Sequence, residues 1–344
     1  MSMTDDDKRR LEAWLDVHAP SLGMGPVTAR VLSGGASNLV MAIRRDGAEV
    51  VLRRPPERPR PDSEKIIGRE ARVLAALAGT DVPHPRFIAY CEDASVIGVR
   101  FYLMALVDGW LGHHDTVPAP FDKPGKDRRD IGFALVDGIA RLANVDYKAV
   151  GLEGFGKPEG FLERQVERWR SQLASYAETE NYPGREIPGL SYAADWLAAN
   201  TPEASPAGII HGDYSFANCL FERTTPARVA AMIDWELATV GDPLLDLGWV
   251  CYGFKGKNDP DSAGYFDATD FPYREELADY YADKTGRSVE HLTYYMVLAQ
   301  YKLAVIMERH YARFLSGRQA HAADSENFVL RLAAKAGAMA RAEG

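Results

Sequence analysis

The sequence predicts an α+β fold with two lobes, a small antiparallel β-rich N-terminal lobe that contains one key helix and a larger, mainly helical C-terminal lobe. Two patterns indicate this arrangement: alternating apolar runs separated by turn residues precede residue 107, and stretches of helical period dominate after it. At 344 residues the chain is also long for a single domain. We therefore predict lobes at residues 1–106 and 107–344 that face each other across a cleft.

The N-terminal lobe opens with a predicted helix at residues 4–16. Three β-like runs follow it, at 27–33, 39–45 and 49–54. The second and third runs are joined by Asp46-Gly47, the strongest short signal for a β-hairpin. Two further extended segments, around 86–90 and 99–107, complete an antiparallel sheet.

The key helix of this lobe is predicted at residues 63–78, with Ser63 as its cap. Glu70 lies on the apolar stripe of the helix, and a carboxylate on a buried face needs a cationic partner. Arg53 ends the preceding apolar strand, so the sequence predicts an Arg53–Glu70 ion pair that bridges sheet and helix. The alternative is a partly exposed glutamate at the edge of the stripe.

The segment SGGASN, residues 33–38, joins the first two strands. Its glycines, Gly34 and Gly35, would let backbone N–H groups approach an anion closely, so with Ser37 and Asn38 the segment is a candidate phosphate cradle. It matches no standard phosphate-loop motif, and a plain tight turn is the alternative.

The C-terminal lobe carries two apolar runs that each end on an acid. A Gly/Pro-rich loop at 109–125 and three predicted helices precede these runs, and a further helix at 290–315 follows them. The three helices are expected at 128–145, 160–180 and 190–200. The first run leads into HGDYSFAN, with Asp213 placed by a sharp turn at Gly212, and the second, VAAMIDWE, ends on Asp234.

Carboxylate and amide oxygens are hard ligands suited to Mg²⁺. Asn218 and Asp234 can hold the metal, which leaves Asp213 free to accept a proton from an attacking hydroxyl. His211 is interpreted mainly as a residue that fixes this loop by hydrogen bonding. The roles of Glu236 and Asp242 stay open, although Asp242-Pro243 favours a structural role for Asp242 at a helix start. Asp246 lies on the following helix, where we expect it to brace the loop from behind.

Composition and charge exclude several classes of function. The net charge is −9 with acids and bases interleaved, which argues against a nucleic-acid partner. Three cysteines are too few for a disulfide framework or a zinc site, and a reducing cytoplasm is the expected location. We also expect neither a membrane span nor a signal peptide, since no apolar run is long enough.

The motifs HGDYSFAN and IDWE are followed by the tripeptide Gly241-Asp242-Pro243. Together they resemble the aminoglycoside phosphotransferase and choline kinase-like superfamily, small-molecule relatives of protein kinases. VVLRRPP, REARVLAAL, VPHPRFIAYCED and YLMALVDG look most like the branch found fused to some acyl-CoA dehydrogenases. The resemblance spans nearly the whole chain and implies a protein-kinase-like fold. It also implies Asp213 as catalytic base and Asn218 and Asp234 as Mg²⁺ ligands.

For the nucleotide, the resemblance implies that Arg53, oriented by Glu70, holds ATP phosphates and that the backbone around Ala105 to Val107 meets adenine. The sequence departs from the family pattern at two of these positions. Arg53 stands where many relatives have lysine, and it still supplies a cation and a bidentate fork. Ala105 stands where an acidic residue is common, which leaves the nucleotide preference open.

The resulting hypothesis is an ATP- and Mg²⁺-dependent phosphotransferase that acts on a hydroxyl of a small molecule. Basic residues on the helix 290–315, among them Lys302, Arg309 and Arg313, favour a hydroxyacyl or other anionic acceptor. Aromatic residues after 250 are interpreted mainly as core, with a cage for a quaternary amine as the alternative. Three other functions stay open: a catalytically silent nucleotide-binding protein, an aminoglycoside- or choline-type kinase, and a metal-dependent phosphoesterase.

Overall fold

The structure is a computed structural model of the chain. It describes residues 3–34, 38–56, 59, 61–112, 117–123, 125–258, 270–317 and 323–343, and the side chains of residues 33, 34 and 323–325 are not described. The α+β prediction is confirmed, with an antiparallel sheet in the N-terminal part and mostly helices in the C-terminal part.

The N-terminal sheet has five antiparallel strands in the order β1-β2-β3-β5-β4. They are β1 (Thr28–Gly34), β2 (Leu39–Arg45), β3 (Ala48–Arg54), β4 (Phe87–Cys91) and β5 (Phe101–Ala105). The predicted hairpin is present between β2 and β3, where Asp46 and Gly47 have φ angles of 47° and 81°. Because both central residues have positive φ, this turn matches the right-handed twist of the strands it joins.

Two helices pack on opposite faces of this sheet. Helix α1 (Asp5–His18) buries Leu11 and Leu15 against one face, together with side chains such as Leu52. Helix α2 (Ser63–Ala76) lies on the other face, where Val51 of the sheet belongs to the same apolar core as the C-terminal lobe. The face that carries α2 is therefore the one continuous with the rest of the molecule.

The C-terminal part is built from seven described helices and five short strands. The helices are α3 (Lys126–Asn144), α4 (Glu163–Ser175), α5 (Leu190–Ala199), α6 (Leu244–Cys251), α7 (Arg274–Thr285), α8 (Leu292–Leu315) and α9 (Ala323–Ala342). The strands are β6 (Trp110–Leu111), β7 (Gly208–Ile210), β8 (Cys219–Phe221), β9 (Val229–Met232) and β10 (Thr239–Gly241). Strands β6, β8 and β9 form one antiparallel sheet, and β7 pairs with β10.

The predicted lobe boundary between residues 106 and 107 lies in the segment that connects β5 to β6. The bounds at residues 1–106 and 107–344 stay a prediction, since the C-terminal core also includes side chains of α2. Among the described residues, no helix combines the length and the apolar character needed to cross a bilayer.

Candidate active site

The loop that follows β7 is held in place by a buried carboxylate. Asp246 on α6 accepts hydrogen bonds from the backbone N–H groups of His211, at 2.7 Å, and Gly212, at 2.9 Å. Burial raises the pKa of Asp246 to about 6, and the two N–H donors oppose that shift. The structure thus places Asp246 behind the loop, as the sequence predicted.

Gly212 makes the sharp turn in this loop. Its φ angle is +80°, and a Cβ atom at this position would lie 2.6 Å from the carbonyl oxygen of Leu237. Only glycine satisfies both conditions. For other residues this backbone conformation costs about 1–2 kcal/mol, and the steric clash of the Cβ atom adds to that cost.

We expect Gly212→Ala to lower both thermal stability and turnover. Gly47→Ala is the matched control, because Gly47 has a φ angle of +81° and nothing within 4 Å of the added Cβ. Denaturant titration should show a destabilisation of about 1–2 kcal/mol for the control and a larger one for Gly212→Ala. Equal destabilisation and equal turnover in the two variants would mean that the contact with Leu237 is unimportant.

His211 fixes the loop from its other side. Its ring Nε2 lies 2.9 Å from the carbonyl oxygen of Ile233, so this nitrogen carries the hydrogen and donates it. Burial lowers the pKa of His211 to about 4, which keeps the imidazole neutral at physiological pH. The position agrees with the predicted loop-fixing role.

Asp213 and Asn218 are held together by two hydrogen bonds. The amide nitrogen of Asn218 donates to the Asp213 backbone carbonyl at 2.8 Å and to its carboxylate at 3.0 Å. This leaves the amide oxygen of Asn218 as the atom available to a cation. Burial raises the pKa of Asp213 to about 6, while the Lys302 ammonium opposes the shift.

Asp234 lies two residues after the end of β9 and adopts the left-handed conformation, with φ of 65°. The preceding residue ties this loop to the first one, because the N–H of Ile233 donates to the carbonyl of Asn218 at 2.9 Å. The Asp234 carboxylate lies 2.5 Å from Nη2 of Arg53. The two acid-bearing loops therefore converge, and they do so next to the last residues of β3.

The predicted ion pair between β3 and α2 is present. Nε of Arg53 lies 2.7 Å from the Glu70 carboxylate, and the Tyr102 hydroxyl donates to the same carboxylate at 2.7 Å. Glu70 is completely buried, and its burial raises its pKa to about 7 although the Arg53 cation opposes that shift. The alternative of a partly exposed glutamate is therefore wrong.

Glu236, whose role the sequence left open, joins Arg53, Glu70 and Asp234 in one charged cluster. The amide nitrogen of Asn38 donates to Glu236 at 3.3 Å and lies 3.5 Å from Glu70. Carboxylate oxygens of Glu70, Asp234 and Glu236 lie within 4.8 Å of one another. Glu236 stands two residues after Asp234 in the motif IDWE, and this spacing is the sequence signal that could have identified it as a site residue.

The predicted nucleotide contacts are only partly described. Gly34 ends β1 opposite Leu39, whereas Gly35 and Ser37 lie outside the described residues. Ala105 ends β5, and its N–H already donates to the Arg86 carbonyl at 2.8 Å. Val107 has no backbone hydrogen bond to any part of the chain that the structure describes. Of the two residues predicted to meet adenine, Val107 is thus the one whose backbone N–H has no such bond within the described chain.

A cavity of about 190 Å³ opens beside Asp213. Its walls are mainly aromatic and aliphatic side chains from α3, α6, α8, α9 and the loops that follow β7 and α6. They include Leu135, Phe216, Trp249, Tyr252, Phe254, Leu303 and Phe328. Apart from Asp213, the polar side chains that line it belong to Ser215 and Tyr252. The aromatic residues predicted as core thus fall into two groups. Tyr281, Tyr295 and Tyr301 are buried in the packing between helices, whereas other aromatic side chains face this cavity.

Asp242 supports the start of helix α6. Its carboxylate accepts hydrogen bonds from the N–H of Leu244 at 3.0 Å and from the Tyr295 hydroxyl at 2.8 Å, which agrees with its predicted role at a helix start.

Lys302 is buried, and its ammonium donates to the backbone carbonyl of Gly212. The expectation that Lys302 offers its charge to an anionic acceptor is therefore wrong, since that charge is turned toward the loop.

Comparison with known proteins identifies the family of the chain. The model of the phosphotransferase enzyme family matches residues 28–280, which include every described residue of the cluster. The chain belongs to this family. The prediction of a phosphotransferase that acts on an alcohol is thereby confirmed at the level of the family.

The curated relatives of this phosphotransferase are longer proteins. Acyl-CoA dehydrogenase family member 11 of Gallus gallus is 32% identical over 319 residues, which make up 90% of this chain and 40% of that protein. Acyl-CoA dehydrogenase family member 10 of Mus musculus is 30% identical over 318 residues, or 91% of this chain and 29% of that protein. The chain thus spans two fifths or less of the length of these relatives, and the predicted branch is confirmed.

Solved structures agree with the predicted protein-kinase-like fold. A crystal structure from Ralstonia eutropha, provisionally assigned as an aminoglycoside phosphotransferase, is 30% identical with a TM-score of 0.82, covering 97% of this chain and 98% of that chain. The GDP complex of aminoglycoside 2'-phosphotransferase-IIIa is 16% identical with a TM-score of 0.60, covering 96% and 98%. The fold prediction for this phosphotransferase is confirmed.

Proposed function

We propose that the protein transfers the γ-phosphoryl group of ATP to a hydroxyl of a small molecule, with Mg²⁺ as the metal. The observation that carries the proposal is the convergence of Asp213, Asn218 and Asp234 beside the apolar cavity. In the reaction the acceptor oxygen would form a bond to the γ-phosphorus, while the bond between that phosphorus and the leaving oxygen of ADP breaks. The hydroxyl proton would go to a carboxylate oxygen of Asp213.

Asp213 has the properties of such a base. It is half-buried at the edge of the cavity, and the two hydrogen bonds from Asn218 fix its orientation. A pKa of about 6 makes it a stronger proton acceptor than an ordinary aspartate while it stays ionised at neutral pH. Positioning of this kind supplies much of the catalysis in phosphoryl transfer, which needs little covalent chemistry from the protein.

The donor set fits magnesium. The carboxylate oxygens of Asp234 and Glu236 lie within 4.8 Å of each other, and the amide oxygen of Asn218 is turned away from Asp213. Asn218 and Asp234 would hold the ion, with Glu236 as a further candidate, since Mg²⁺ takes oxygen ligands. The bound metal would neutralise negative charge on the phosphates during transfer.

Arg53 would bind phosphate oxygens on the nucleotide side of the cluster. Its guanidinium is held between Glu70 and Asp234, so it is oriented before any ligand arrives. A fold neighbour is known as a GDP complex, which supports nucleotide binding by a protein of this fold. ATP is the phosphoryl donor that the resemblance implies.

The acceptor that we propose is a hydroxyacyl compound or another small anionic alcohol with an apolar part. The cavity beside Asp213 has about 190 Å³, and an apolar cavity of about 150 Å³ is known to hold benzene. Its walls offer apolar side chains where a polycationic aminoglycoside would need acidic groups. Any anionic group of the acceptor would therefore lie outside this cavity.

The direct test is a screen of small alcohols for an ATP-dependent gain of one phosphate group, read by mass spectrometry. We expect products from hydroxyacyl compounds, loss of turnover on chelation with EDTA, and recovery when Mg²⁺ is added back. The alcohols should include kanamycin and choline as alternative acceptors. Nucleotide binding without transfer to any alcohol would favour a silent nucleotide-binding protein, and phosphate release from monoesters without ATP would favour a phosphoesterase.

A further inference from the structure

Lys302 is a buried cation on helix α8 that the proposed reaction does not use. Only 4% of its surface is exposed, and it lies in the middle of a helix whose neighbouring positions are apolar. Burying an ammonium group is unfavourable unless partners compensate for the water that it loses. What compensates for this burial indicates what the residue does.

The closest partners of Lys302 belong to the loop that follows β7 or to its supports. Its Nζ donates to the backbone carbonyl of Gly212, the residue before Asp213, and lies 4.7 Å from the ring centre of Trp249. The carboxylates of Asp213 and Asp246 both attract this cation. Lys302 therefore contacts the loop from beneath, while Asp246 holds the amide groups of the same turn.

Trp249 connects the same contact to the cavity. Its indole ring faces Lys302, and Trp249 lines the cavity beside Asp213 together with Leu303, the residue that follows Lys302 on α8. One turn of α8 thus contacts both the loop that carries Asp213 and the wall that would receive the acceptor. A shift of this turn would change the distance between the two.

We propose that Lys302 is a positioning residue, which holds the Gly212 carbonyl so that Asp213 is presented to the cavity in one orientation. This inference rests on the proposed function of Asp213 as the base, but the placement of the loop can be measured without any substrate. A structural role alone would stabilise the fold without a specific effect on the loop.

Two variants on α8 separate these roles. Lys302→Met keeps the apolar stem of the side chain and removes its charge. Glu308→Gln is the matched control, because Glu308 is fully buried on the same helix but pairs with Arg185 at 2.7 Å, away from the loop. Both variants should lose stability, so stability alone does not separate them.

Hydrogen exchange of the peptide 208–221 is the deciding measurement, made on the full chain without nucleotide. We expect Lys302→Met to exchange at least about tenfold faster in this peptide, the effect of losing a hydrogen bond from a charged group. Glu308→Gln should leave the peptide unchanged, and Lys302→Arg should restore part of its protection. Unchanged exchange in Lys302→Met, or the same gain in both variants, would overturn the proposal.

Turnover gives the second readout. With ATP and an accepted alcohol, kcat of Lys302→Met should fall by up to about 10²-fold, the effect of a misplacement near 1 Å, while the KM for ATP stays near that of the wild type. Should Lys302→Met not accumulate as folded protein, Lys302→Gln makes the same test. A wild-type protein without any turnover would refute the proposed function, and the exchange data would still decide the role of Lys302.

Discussion

Asp213→Asn should lower kcat by about 10²- to 10⁴-fold, the range for loss of a positioned general base. Asparagine has nearly the same shape, so the Asn218 amide keeps an acceptor at the Asp213 side chain and at its backbone carbonyl. What disappears is the carboxylate that would take the hydroxyl proton. Steady-state kinetics with ATP and an accepted alcohol measure the loss.

Nucleotide binding separates this effect from misfolding. Arg53 donates to Asp234 and Asn38 donates to Glu236, and neither bond involves Asp213, so the affinity for Mg²⁺-nucleotide should stay within a few-fold of the wild type. Asp137→Asn is a suitable control, because Asp137 accepts from the Tyr280 hydroxyl at 2.9 Å outside the site. Near-normal turnover by Asp213→Asn would refute its assignment as the base.

The parts of the site that were predictable from the sequence are those encoded over a short stretch. Asp46-Gly47 marked its hairpin because both residues tolerate positive φ, and Gly212 marked its turn for the same reason. Glu70 was recognised because its place on an apolar helix face demanded a cation, and Arg53 is only 17 residues away. In each case the physical requirement and the residue that meets it are close together in the chain.

The parts that were missed depend on contacts between distant residues. Asn38 meets Glu236 across 198 positions, and Lys302 reaches Gly212 across 90. Nothing in the helical pattern of 290–315 distinguishes a lysine that faces solvent from one that lies beneath a loop. The charge of Lys302 was therefore assigned to an acceptor, although the packing of α8 turns it toward Gly212.

The second large effect is expected at Arg53. Arg53→Met removes the only cation that pairs with Glu70 among the described residues, and breaking a buried ion pair costs about 3–5 kcal/mol. Asp234, whose side chain is 37% exposed, is better solvated and should tolerate the loss. Nucleotide affinity should fall together with stability, because the guanidinium is the proposed phosphate ligand. Denaturant titration and nucleotide titration measure the two effects.

The double variant Arg53→Met/Glu70→Gln distinguishes the two losses. Glutamine is neutral and still accepts from the Tyr102 hydroxyl, so most of the stability should return, whereas nucleotide affinity should not. Arg45→Met is the control: Arg45 is also buried and pairs with Asp16 at 2.5 Å outside the cluster, so this variant should lower stability alone. Recovery of nucleotide affinity in the double variant would exclude Arg53 as a phosphate ligand.

The pH dependence of stability tests the Arg53–Glu70 ion pair independently, because it predicts the direction in which stability changes with pH. Burial already holds the pKa of Glu70 at about 7 with Arg53 present, and without this cation the pKa should rise further. The folded state of Arg53→Met would then bind a proton that the unfolded chain, with a glutamate pKa of about 4.3, releases. Its stability should be greatest below about pH 4 and should fall as the pH rises through 7. The double variant lacks a titrating group at position 70 and should lose this slope, whereas the same slope in both variants would mean that Glu70 is not its source.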